Sequence, residues 1–169
     1  MRYSDERNIS HPTMNKCIIC LLNSAVLSEA TSEMGILFSP DPGQILMCDF
    51  TRGFIRPEMQ KIRHCVVVSP KKHTGTCLIV PLSTQAPVRM EMWHYLVPRH
   101  VYPCIECGTD VWAKGDMLTH AAFSRLSRPK ENHVEVRRLM QAAHLREVLK
   151  AVFHAINCGH LAGHIDVDP

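Results

Sequence analysis

Three short apolar runs, each bounded by glycine or proline, constrain this chain more than any other feature. They are Ile45 to Phe50 behind Gly43, His64 to Ser69 ahead of Pro70, and Cys77 to Ser83 behind Gly75. Their β-branched and apolar content and their brevity predict strands rather than helices. Most of the connections are too short to hold a crossover helix, so the sheet is expected to be antiparallel or mixed. Glu91 to Leu96 alternates Trp93 and Tyr95 against Met92, His94 and Leu96, and Thr109 to Lys114 is a further short candidate. About five strands result, a normal sheet size. Pro81 lacks the N–H of a ladder bond, which predicts a strand end, an edge or a bulge at that point.

Beyond Pro129 the period changes. Leu139, Ala142, Leu145, Leu149, Val152, Phe153 and Ile156 recur at three- and four-residue steps, predicting a helix from Leu139 to Asn157 with Gly159 as its stop. The expected class is α+β: a twisted, mostly antiparallel sheet followed by a C-terminal helix. A chain of 169 residues with 46% hydrophobic content suits one domain with appendages. Residues 1–33 differ in character from the rest and are read as an N-terminal extension, in which Met14 to Ala30 can form a short helix. Residues 34–160 form the domain, and residues 161–169 a short tail.

The net charge of +3 permits a nucleic-acid partner without requiring one. The apolar run Cys17 to Leu27 is broken by Asn23 and Ser24 and is shorter than the roughly 20 residues a membrane span needs. A soluble, cytoplasmic chain is expected. Of eight cysteines, Cys48, Cys65 and Cys77 fall inside predicted strands, where a free thiol acts as a small hydrophobe. Cys17/Cys20 and Cys104/Cys107 have the spacing of zinc knuckles. The two pairs are far apart in sequence and Ile18-Ile19 is very apolar for a knuckle, so free thiols and no metal are the expectation. His154, Cys158, His160 and His164 gather near the helix end, but the last two lie past Gly159. No phosphate-binding or dinucleotide glycine pattern is present, and no cofactor is expected.

The string Gly43-Gln44-Ile45-Leu46-Met47-Cys48-Asp49-Phe50, then Arg63 entering Val66-Val67-Val68-Ser69, then Val80-Pro81-Leu82-Ser83-Thr84, resembles the start of the PemK/MazF-type toxins. Trp112 to His120, with Lys114 and Asp116 two positions apart, looks like a later strand of the same family. The resemblance implies a barrel-like fold close to an SH3 barrel and a metal-independent endoribonuclease. Such an enzyme attacks single-stranded RNA, typically mRNA, through the 2′-hydroxyl, leaving a 2′,3′-cyclic phosphate. It also implies a homodimer restrained by an antitoxin protein.

Residue by residue, the resemblance gives Arg63 the scissile phosphate, Ser83 and Thr84 the functional hydroxyl, and Lys114 and Asp116 charge stabilisation and acid–base work. Glu58, Lys61, His64 and Gln85 flank these positions as candidate substrate-binding residues. The family usually has proline after the arginine; this chain has His64, which titrates near neutral pH. Trp93, Tyr95 and Trp112 can stack on bases, although aromatics in strands more often serve a core. The alternatives left open are a non-catalytic binder of the same fold, as in the gyrase-poisoning CcdB type, and a zinc-stabilised nucleic-acid-binding protein.

Overall fold

The computed structural model describes residues 35–165 apart from positions 72, 99, 106 and 107. The expectations for residues 1–33, for Cys17/Cys20 and for Cys107 therefore lie outside the described residues.

Ten short strands replace the five expected. β1 (Gln44–Asp49) and β3 (Thr76–Ser83) follow the first and third apolar runs to within a residue at each end, whereas β2 (Ile62–Val67) starts and ends two residues ahead of the expected His64 to Ser69. β4 (His94–Val97), β5 (Val111–Lys114), β6 (Thr119–Ala122), β7 (Leu126–Ser127) and β10 (Arg138–Leu139) complete an antiparallel sheet of order β10-β1-β2-β3-β5-β4. In it β6 also pairs with β3 and β7 with β1. β8 (Lys130–Glu131) and β9 (Val134–Glu135) form a separate small ladder. The added strands are two to four residues long, too short for alternation to register in the sequence.

The curl of this sheet comes from two strands that change partner along their length. β1 pairs with β10 at Gln44 and Ile45 and with β7 at Met47 and Cys48. β3 pairs with β6 from Thr76 to Ile79 and with β5 at Leu82 and Ser83. Pro81 falls in the gap between those partners. The Val68 N–H donates to Leu78 O at 3.0 Å, and Cys65, Val66 and Val67 face Pro81, Val80 and Ile79. Cys65 and Pro81 are therefore a non-hydrogen-bonded pair, and the proline nitrogen points away from β2 into the gap. Pro81 thus occupies a central strand, at the one kind of place there where a donor is not missed.

Each face of the sheet buries its own cluster. On one, Ile45, Val66, Val80, Leu82, Val97, Val111 and Ala113 pack with Leu145, Val148 and Val152 of the helix. On the other, Leu46, Cys48, Phe50, Cys65, Val67, Cys77 and Ile79 are closed over by Ala121 and Leu126. Fully burying side chains of this size stabilises by about 1.5–3 kcal/mol each. Burial pushes the Cys48 thiol up to about 12 and Cys77 to about 11, so these cysteines are packing groups.

The helix, α1, runs Ala142–Ala155, three residues shorter at its start than expected. Leu139 is instead a β10 residue opposite Gln44, and the Met140 N–H donates to Gly43 O at 2.8 Å. Apolar spacing alone does not separate the last strand residue from the first helical turn. The stop differs as well: Asn157 takes the left-handed conformation at φ 60. Gly159 opens a 3-10 segment, Gly159–His164, and any Cβ there would meet the His154 ring. Gly115, in the 3-10 turn Gly115–Met117, lets the sheet touch the helix backbone: a Cβ would lie 2.6 Å from Ala151 C. Among the described residues no helix is long and apolar enough to cross a membrane.

Candidate active site

Arg63 is the second residue of β2 and pairs with Cys48 of β1. The paired register of β2 and β3 ends at Cys65 and Pro81, and two residues further along each strand, on the same face, stand Arg63 and Ser83, the last residue of β3. Ser83 in turn faces Trp112 of β5. A row Cys48, Arg63, Ser83, Trp112 therefore crosses four strands on the face away from α1, because Val111 and Ala113 turn toward the helix. Lys114 shares the Trp112 face and pairs with His94 of β4.

Among the described residues the Arg63 side chain forms no hydrogen bond or ion pair, and its Nε is buried without an acceptor. Ser83 is buried, and its Oγ accepts the Gln85 N–H at 3.2 Å, the local turn bond typical of serine at a strand end. Its own hydroxyl proton stays available to donate.

Pro81, on the same face of β3 as Ser83, forms part of a cleft of about 240 Å³. Phe50, Phe54, Met59 and Thr119 line it together with two carboxylates, Glu58 and Asp116. The loop that carries Glu58 is tied down from β7's side. Arg125 Nε and Nη2 donate to Asp49 O at 3.0 and 2.7 Å, Nη2 also donates to Arg52 O at 2.6 Å, and the guanidinium lies 4.7 Å from the Phe54 ring centre. Glu58 Oε2 accepts the Ile55 N–H at 2.7 Å within that loop, while Lys61 is exposed at its end.

Asp116 is exposed and lies 3.9 Å, through Oδ1, from Nε2 of His94. His94 was not singled out by sequence. Its side chain is 8% exposed, and its Nδ1 accepts the Glu91 N–H at 3.2 Å, so a neutral ring presents Nε2–H toward the carboxylate. Its proximity to Asp116 depends on the β4–β5 pairing, which no local motif announces.

His64 and Thr84 are placed apart from this face. With Met47, Ile62, Arg63, Leu82, Ile105 and Val111 they line a second cleft of about 200 Å³, to which Arg63 alone of the catalytic candidates belongs alongside Thr84. Burial pushes the His64 ring below its ordinary range, partly offset by a hydrogen bond with the Cys104 backbone. Gln85 is exposed in the turn after β3. No group of three or more potential metal ligands exists among the described residues.

A curled antiparallel half-barrel with a C-terminal helix across one face is the architecture of the small MazF and PemK toxins. Residues 41–153, more than half of the chain, match the profile of the PemK-like, MazF-like toxins of type II toxin-antitoxin systems, and the chain belongs to that family. It is 28% identical over 144 residues to the uncharacterized protein YifN of Escherichia coli (strain K12), covering 73% of this chain and 96% of that one. Among solved structures it is similar to MazF from Deinococcus radiodurans, with TM-score 0.54 and 18% identity over 71% of this chain and 98% of that one. The MazE-MazF structure from the same organism gives 0.51 and 19%, covering 71% and 97%. At these identities the likeness is one of fold.

Proposed function

We propose that this protein is the toxin of a toxin-antitoxin pair and an endoribonuclease that cleaves single-stranded RNA, mRNA included, in the cytoplasm. The observation that carries the reading is the Arg63 side chain, which among the described residues has no hydrogen-bond or ion-pair partner and stands half-buried near a strand end in the same cross-strand row as the buried Ser83. A cation held there without a counter-anion suits a phosphodiester, which a guanidinium binds with paired hydrogen bonds.

In this reading the RNA 2′-hydroxyl attacks the adjacent phosphorus, giving a 2′,3′-cyclic phosphate and a 5′-hydroxyl. Arg63 and Lys114 stabilise the charge on the phosphorane, Ser83 donates to a phosphoryl oxygen, and Asp116 serves as the proton-transferring group. Glu58 and Lys61 line the path of the strand on one side, and Thr84, Gln85 and His64 on the other. The reaction needs no metal. Val88, Met90, Met92 and Leu96, all exposed, supply apolar surface for a second copy in a homodimer. Membership of a family of type II toxin-antitoxin toxins supports an antitoxin protein as the restraining partner.

The test is cleavage of a mixed-sequence single-stranded RNA in the presence of chelator. Products ending in cyclic phosphate are expected, with a loss of roughly 10²-fold or more in Arg63→Ala. A well-folded wild-type protein that cuts no RNA would leave the non-catalytic binder of the CcdB type.

A further inference from the structure

Three buried side-chain N–H groups lack an acceptor among the described residues: Gln44 Nε2, Arg63 Nε and Trp112 Nε1. Two of these three belong to the residues that flank Ser83 in the cross-strand row. Leaving a buried donor unpaired costs about 1–3 kcal/mol, so two at one place call for an explanation.

We propose that Arg63, Ser83 and Trp112 form a three-donor cradle for one phosphoryl oxygen, in which the indole N–H of Trp112 is a direct phosphate ligand. The inference rests on the endoribonuclease reading for its substrate. Ser83 Oγ already accepts from Gln85, so its hydrogen is the third donor. An acceptor that satisfies three such donors, one of them cationic, must itself carry negative charge and several lone pairs. A phosphoryl oxygen has both; a base carbonyl lacks the charge that Arg63 demands. Cys48, next in the row, does not fill the role, since burial holds its thiol protonated with its pKa at about 12. Ser83 ends β3 and the residues Thr84, Gln85 and Ala86 after it are exposed. The cover over the donors is therefore a strand end rather than deep core.

The chain has two tryptophans, Trp93 and Trp112, so an amide spectrum of labelled protein holds two indole N–H signals. Trp112→Phe removes one and assigns it. Two probes are titrated: inorganic phosphate, and a short, fully 2′-O-methylated RNA of random sequence that cannot be cut. The Trp112 signal is expected to move downfield with the RNA and, more weakly, with phosphate, while Trp93 stays in place. With cleavable RNA, Trp112→Phe is expected to lower kcat by about 10²-fold with KM little changed. A wild-type enzyme that cuts RNA with a Trp112 signal unmoved by both probes, or a Trp112→Phe variant of full activity, overturns the cradle alone. A protein that cuts no RNA while its Trp112 signal follows phosphate keeps the cradle and overturns the nuclease. Neither cleavage nor movement overturns both.

Discussion

The Tyr102 hydroxyl sits 2.6 Å from Nδ1 of His144 and accepts the backbone N–H of Gln141 at 2.9 Å. Gln141 occupies the N-cap of α1 without a side-chain cap of its own, so a buried phenol from the β4–β5 connection does that work. The phenol and His144 Nδ1 share one further hydrogen bond, whose direction follows the tautomer of the ring. Tyr102→Phe leaves the ring packing intact and orphans both partners. A loss of about 1–3 kcal/mol in denaturant unfolding is expected, with α1 keeping its length in circular dichroism. Unchanged stability would mean that solvent caps the helix.

Gly115→Ala is expected to be more damaging than its size suggests. The added methyl would stand 2.6 Å from Ala151 C and 2.7 Å from Ala151 O, backbone atoms in mid-helix that cannot step aside without moving α1. Overpacking of this kind costs about 1–3 kcal/mol. Since Asp116 follows directly, cleavage should fall along with the melting temperature. A variant of wild-type stability would show that the helix can shift away.

His64 gives a pH dependence with a definite sign. Burial lowers its folded-state pKa below the ordinary 6.5, so the unfolded chain takes up a proton first as pH falls. Its contribution to stability is whole above about pH 6.5 and declines below it, by at most about 1.4 kcal/mol per pH unit. His64→Asn should flatten that part of the stability profile measured between pH 7.5 and 5.5 in chemical denaturation. An identical slope in the variant would assign the loss to other groups.

Asp116 and His94 separate by their effects on activity. Asp116→Asn keeps the shape of the cleft wall and removes the charge, and a loss of roughly 10²–10⁴-fold in cleavage is expected if the carboxylate moves a proton. His94→Gln leaves that carboxylate in place and removes only the ring 3.9 Å behind it, so a smaller loss is expected, with a changed pH–rate profile. Equal losses in both variants, without any change in pH profile, would point to a purely structural role for the pair.

The first and third apolar runs fold as strands where their composition puts them, behind Gly43 and Gly75, while β2 sits two residues ahead of its expected place because its register is set by pairing with β1 from Ile45 to Asp49. The positions of Arg63 and Ser83 near strand ends were legible because they lie at the ends of those runs. The start of α1 was not: Leu139 fits the helical period yet pairs with Gln44, a partner ninety-five positions earlier in the sequence. Pro81 was read as a residue for edges and ends; it stands in a central strand because β3 exchanges β6 for β5 beside it.

What the sequence determined by itself was local: which segments extend, which coil, and which polar side chains stand where strands end. Backbone propensity and the side-chain period act over a few residues and need no partner. What only the tertiary structure decided was adjacency across strands. Trp112 beside Ser83, His94 behind Asp116 and Tyr102 over Gln141 all follow from strand register and chain crossing. A shift of one residue would turn every side chain to the other face.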